Sequence, residues 1–202
     1  MQKAKAVILI LLLGLPVLLT AQDGPDIEVD WDDYRYDLYS QGDQVLMISV
    51  GVIFPTLFIN NGNLINHKIE PPVGGVGSLA FHYFLRSRLF IGGEVGGFFC
   101  STLAGNTLYI IPLGFRVGTL FLAGRFEFPL IGTIGVSWHN YLDFGYFGLY
   151  FKAGGSVFFR ATNHWAFGLT SSWYLFPEWT DNAKFDVYGN FLDLTLSARY
   201  HF

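Results

Sequence analysis

Residues 191–202 read FLDLTLSARYHF, and the alternation of this stretch decides the fold. Leu192, Leu194, Leu196, Ala198, Tyr200 and Phe202 share one parity, while Asp193, Thr195, Ser197, Arg199 and His201 share the other. Side chains alternate sides along a strand, so the stretch is a ribbon with one apolar and one polar face. In a soluble protein such a face needs a second layer to cover it. In a transmembrane barrel, lipid covers it.

The whole chain favours lipid. Of 202 residues, 51% are hydrophobic, 18% aromatic and only 14% charged, against about 25% charged in an average soluble domain. A spanning helix needs an apolar run of about 18 or more residues. None occurs after residue 21, because Gly, Ser, Asn or a charge interrupts every apolar segment. The closed barrel is the other fold that satisfies its backbone inside lipid. A soluble β-sandwich would share the alternation but would need more polar surface than this chain supplies. The single cysteine, Cys100, excludes an intrachain disulfide and gives no metal-ligand spacing.

Residues 1–21 carry Lys3 and Lys5, an apolar run and then Thr20-Ala21, the order of a secretory signal peptide cleaved after Ala21. Loss of those lysines takes the formal net charge from −4 to −6, which disfavours a nucleic-acid partner. Residues 22–43 set Asp23, Asp26, Glu28, Asp30, Asp32, Asp33, Asp37 and Asp43 against a single Arg35. This reads as an acidic periplasmic N-terminal tail, whose interleaved Trp31, Tyr34, Tyr36 and Tyr39 suggest a docking role.

Residues 44–202 hold eight alternating segments, at 44–58, 73–85, 89–100, 108–121, about 128–141, 146–160, 165–176 and 191–202. Short connections (86–88, 122–127, 161–164) alternate with longer ones (59–72, 101–107, 142–145, 177–186), as periplasmic turns alternate with outer loops in a membrane barrel. An even strand number puts both termini on one side, the periplasm.

Five charges fall inside these segments, short of their end residues: Glu94, Arg116, Lys152, Asp193 and Arg199, each on the less apolar parity. A cation at the bilayer midplane costs roughly 2–4 kcal/mol on the lipid face. An eight-stranded barrel has an interior just wide enough for side chains to fill. The five are therefore expected to form a paired interior charge network, hydrogen-bonded to Ser49, Ser78, Thr133, Thr170 and Thr195, and to plug the lumen. Trp138, Tyr141 and Trp173 are expected in an aromatic girdle at the loop end, and Phe84, Phe128, Phe159, Trp165, Tyr200 and Phe202 in one at the turn end.

With its signal segment, eight alternating segments, glycine-rich strands, IPLGFRVG at 111–118 and terminal RYHF, the chain resembles the small eight-stranded outer-membrane barrels. Within that group it is most similar to the OmpW-like proteins, with OmpX and the OmpA membrane domain as cousins. The resemblance implies an all-β, eight-stranded antiparallel transmembrane up-and-down β-barrel, a monomer of the bacterial outer membrane. It also implies that Tyr200 and Phe202 form the assembly signal read by the barrel-assembly machinery. OmpW-like proteins are thought to pass small hydrophobic solutes through a narrow apolar pocket with a lateral exit, and the resemblance implies that activity here.

One pair of residues offers catalytic chemistry. Ser137 and His139 lie two apart on one face, followed by Asn140. A lipid A deacylase carries such a pair in the order His-x-Ser-Asn with an acid to orient the His. Here the order is Ser-Trp-His-Asn, and no strand acid stands beside it. A nucleophile needs its base within hydrogen-bond reach and a third group behind the base, so we expect an ordinary hydrogen-bonded pair and no catalytic residue. His67, His164 and His201 stand singly, and Gly75-Val76-Gly77 has no following helix, so neither metal nor cofactor is expected. The expected function is passive: a narrow channel for small apolar solutes, or envelope structure. The alternatives are a surface adhesin acting through 59–72 and 177–186, or a lipid-modifying enzyme at Ser137 and His139.

Overall fold

The computed structural model describes residues 39–60, 63–64, 73–101, 106–141, 144–179 and 186–202. The expected signal peptide and residues 22–38 of the tail lie outside them, as do parts of all four long connections.

Eight long strands make the wall: β1 Gln44–Asn60, β3 Gly74–Arg86, β4 Leu89–Ser101, β5 Thr107–Ala123, β6 Phe126–Tyr141, β7 Phe144–Arg160, β8 Trp165–Glu178 and β9 Val187–His201. A two-residue strand, β2 (Asn63–Leu64), folds back on the end of β1. Each long strand pairs antiparallel with the next along the chain. Pairing of β1 with β9, from Val45↔His201 to Asn60↔Val187, closes the circle and leaves no edge. Phe202 N–H donates to Gln44 O at 3.0 Å across this seam. Chain entry and chain end therefore lie together at the turn end.

The outer wall is apolar around its circumference. Val50 on β1 is 64% exposed, Phe147 on β7 68% and Leu196 on β9 67%, and exposed apolar side chains occur on every long strand between them. Monomeric soluble proteins rarely expose contiguous apolar patches beyond a few hundred Å², so hydrocarbon is the solvent that suits this surface.

Four details differ from the sequence reading. The 122–127 connection is a two-residue turn: Ala123 pairs with Phe126, and Gly124 takes φ +59° where a side chain would be strained. Glu127 thereby falls inside β6. Phe84 is fully buried in the lumen, not in the turn-end girdle, because it shares parity with Ala80 and His82. β1 carries a bulge at Thr56, where the β9 partner shifts from Pro55↔Phe191 to Leu57↔Asn190. The extra residue switches parity, so Phe58 turns inward and meets Phe191 edge-on at 5.7 Å. Finally, β8 runs on to Glu178, two residues beyond the expected end.

Candidate functional site: the filled lumen and its outer cavities

Moving inward from the turn end, the lumen is built in layers. The lowest holds Tyr39, Val45, Phe84, Phe90, Leu120 and Ile131. Tyr39 precedes the first strand. Gly42 (φ +101°) and the hydrogen bonds Gly42 N–H to Phe84 O and Phe84 N–H to Asp43 O, both 2.9 Å, turn the chain into the turn end of the barrel. The Tyr39 ring stacks on Phe84 at 4.1 Å, and its hydroxyl donates to Glu127 Oε2 at 2.9 Å. Burial raises the phenol above its ordinary range against the pull of the Arg199 charge, so it remains a donor. The Arg160 guanidinium lies 4.9 Å from the ring centre.

Glu127 is the hub of this end. It accepts from Arg160 Nε at 2.7 Å and from Arg199 Nη1 at 2.7 Å. Above it, Met47, Ala80, Phe158 and Ala166 form a small apolar layer, with hydroxyl chains Ser49–Ser197 (2.7 Å), Thr170–Ser197 (3.0 Å) and Ser156–Thr170 (2.8 Å) nearby.

The structure places Glu94, Arg116, Lys152, Asp193 and Arg199 all inside the barrel and all buried. It brings four of them together. Lys152 Nζ donates to Glu94 Oε1 at 2.6 Å and stands 4.0 Å from Asp193 Oδ2. Arg116 Nε lies 3.3 Å from Glu94 Oε2, near enough for charge attraction, although neither atom is aligned for a hydrogen bond. Asp193 also accepts from Ser172 N–H at 2.6 Å and Tyr174 Oη at 2.8 Å. Arg199 is not in this group; it belongs to the Glu127 cluster below. Of the expected hydroxyl partners, Ser78 hydrogen-bonds Glu94, whereas Ser49, Thr170 and Thr195 bond to other hydroxyls or to backbone, and Thr133 Oγ1 has no partner.

Above the charges lies an apolar layer of Ile53, Val76, Phe98, Cys100, Ile110, Tyr150, Tyr174, Phe176 and Phe191. Two cavities meet it. The mouth cavity, about 300 Å³, opens at the loop end and is lined by Phe58, Leu108, Ile110, Phe176 and Phe191 with His139 and Glu178 among its polar walls. The second, about 450 Å³, is an open groove whose walls include the exposed Val50, Phe99, Tyr109 and Ile111, and also Val76, Phe98 and Ile110 of the inner layer. Its floor runs along Gly75, Gly77 and Gly97, which have no side chain to fill it. Here the β4–β5 ladder lapses: Val95 pairs with Leu113 and Phe98 with Ile110, but Gly96 and Gly97, paired on the β3 side, have no partner on β5. The facing Pro112 has no N–H to offer.

The Ser137–His139 pair is hydrogen-bonded, Oγ to Nε2 at 2.7 Å. An acid does stand behind it, which the sequence reading missed: His139 Nδ1 meets Glu178 Oε1 at 2.9 Å across the mouth. The signal was hidden because Glu178 lies 39 residues away in a stretch read as loop. Ser137 has no exposed surface and is not among the cavity walls, whereas His139 and Glu178 are. Among the described residues no group of three or more His, Cys, Asp or Glu is placed to hold a metal.

A closed circle of eight antiparallel strands, an apolar outer wall and a side-chain-filled lumen define an outer-membrane-type β-barrel. A protein-family model of uncharacterised function matches residues 23–200, and the chain belongs to that family. An uncharacterised protein of Borreliella burgdorferi is 25% identical over 133 residues, a match covering 55% of this chain and 63% of that protein. Among solved structures, Neisserial surface protein A superposes with a TM-score of 0.59 at 9% identity, over 80% of this chain and 97% of that one. Ail of Yersinia pestis (TM-score 0.46, 10% identity, 80% and 99% coverage) and OprG of Pseudomonas aeruginosa (0.46, 10%, 81% and 97%) are also similar. The first of these likenesses shows the fold alone.

Proposed function

We propose that this chain is an integral protein of the bacterial outer membrane, both termini periplasmic, that lets small apolar molecules pass from the outer face into the hydrocarbon layer. In this the chain would act as the OmpW-like proteins, which its sequence resembles. The observation that carries it is Ile110, which lines both the mouth cavity and the lipid-facing groove. Phe98 reinforces the link: it lines the groove and packs on Phe176 and Phe191 of the mouth at 5.7 and 5.3 Å. A solute entering at the mouth moves past side chains with rotamer freedom, not past paired backbone, where the ladder lapses at Gly96–Gly97.

Continuing down the lumen is unfavourable for the same solute. The Glu94–Lys152–Asp193–Arg116 layer is buried and mutually paired, and wedging an apolar body into it separates charges in a low-dielectric space. The lateral exit is the cheaper way out. This reading assigns no catalysis, in keeping with the burial of Ser137 away from the cavity wall.

Gly97→Leu tests it. A Cβ at Gly97 meets nothing within 4 Å, so a side chain there fills the groove without disturbing the wall. The variant is expected to fold with wild-type stability and to cut uptake of a small apolar solute by about tenfold in cells or outer-membrane vesicles, a loss of roughly 1.4 kcal/mol in the passage step. Undiminished uptake by folded Gly97→Leu contradicts the lateral exit.

A further inference from the structure

The mouth cavity has a polarity that an apolar passage does not require. One side presents aromatic rings: Phe191 stands edge-on to Phe58 at 5.7 Å and to Phe176 at 5.6 Å. The other presents His139 and Glu178. A hydrogen-bond chain, Ser137 Oγ to His139 Nε2 at 2.7 Å and His139 Nδ1 to Glu178 Oε1 at 2.9 Å, holds the carboxylate at the rim. The Glu178 side chain is 38% exposed and that of His139 only 4%, so the carboxylate is what the cavity shows to a ligand. No lysine or arginine is among the described cavity walls to neutralise it.

We infer that the mouth cavity selects small amphiphiles bearing one protonated amine, with the ammonium at Glu178 and the apolar body among Phe58, Phe176 and Phe191. Carboxylate and cation attract more strongly at the edge of an apolar cavity than in bulk water, and ring faces add attraction for the same charge. Glu178 repels an anionic head of equal size, and a neutral head gains neither contribution. Ser137 and His139 act here as positioning residues, holding Glu178 at the rim. The inference names the solute class for the route proposed above and rests on the mouth being its entry; it does not depend on the exit at Gly97.

The test uses the full mature chain refolded in lipid nanodiscs, with phenethylamine, 2-phenylethanol and phenylacetate as probes, read by calorimetry and saturation-transfer NMR. Phenethylamine is expected to bind about tenfold more tightly than the alcohol, and phenylacetate more weakly than either. Glu178→Gln, checked for folding by heat-modifiable mobility, is expected to erase the preference for the amine while leaving the alcohol's affinity unchanged. Equal affinities for all three probes, no binding of the amine, or a preference that survives Glu178→Gln overturns the inference. The two proposals fail separately: amine preference without an effect of Gly97→Leu on uptake removes the lateral exit alone. Blocked uptake without amine preference removes the selectivity alone.

Discussion

Glu94 shows what a single charge does inside so narrow a barrel. It accepts from Lys152 at 2.6 Å and faces Arg116 at 3.3 Å, and all three are buried. Taking such ions out of water is costly, and their mutual attraction repays this only while each keeps a partner. Removing the shared carboxylate strands two cations. Glu94→Leu is therefore expected to lower stability by about 3–5 kcal/mol, read as a reduced urea midpoint for the barrel folded in micelles; an unchanged midpoint contradicts the pairing. Glu94, Lys152 and Asp193 were legible in the sequence because a charge in mid-strand stands out against its alternation. Glu127 and Arg160 were not singled out, although Glu127 pairs with Arg199 from below and Arg160 pairs with Glu127. Both lie next to turns, where alternation fades and strand ends blur. Phe84 differs for another reason: its nearness to a turn suggests the interface, but its parity with His82 sends it inward.

At the scale of elements, the strands were legible and their irregularities were not. Period-two alternation located all eight, yet the Thr56 bulge inverts the register and turns Phe58 into the lumen. Pro55 inside an otherwise regular run was the available signal, since proline within a strand marks edges or bulges. The segment before β1 is the other surprise. Its aromatics hinted at docking, and the docking surface of Tyr39 is the turn end of the barrel's own lumen, between Phe84, Glu127 and Arg160. Tyr39→Ala deletes a buried ring and leaves Glu127 one donor short, so stability is expected to fall by about 3–5 kcal/mol. Tyr39→Phe, which keeps the ring and loses only the hydroxyl, is expected to cost about 1–3 kcal/mol. If the two substitutions cost the same in chemical denaturation, the ring is not buried as described.

At the scale of the molecule, the two faces of the wall divide the work. The outer face is apolar on every strand and suits lipid; the inner face alternates apolar and ionic layers that fill the cross-section. The hidden pairing of Glu178 with His139 is a whole-molecule fact, since it joins β6 to β8 across the mouth, and strand-by-strand reading could not bring them together. The same holds for the lapse in the β4–β5 ladder, where glycines scattered over β3 and β4 become one groove only once the sheet is rolled.

The central claim is that the lumen is closed below the mouth by paired charges and by Tyr39, so that passage, where it occurs, is sideways and apolar. Planar-bilayer recording of the refolded, heat-modifiable barrel tests this most directly. The account predicts a folded but electrically silent wild-type protein. Steady, discrete openings of the wild-type barrel that change amplitude in Arg116→Ala would show a continuous ion path through the charged layer, and would contradict it.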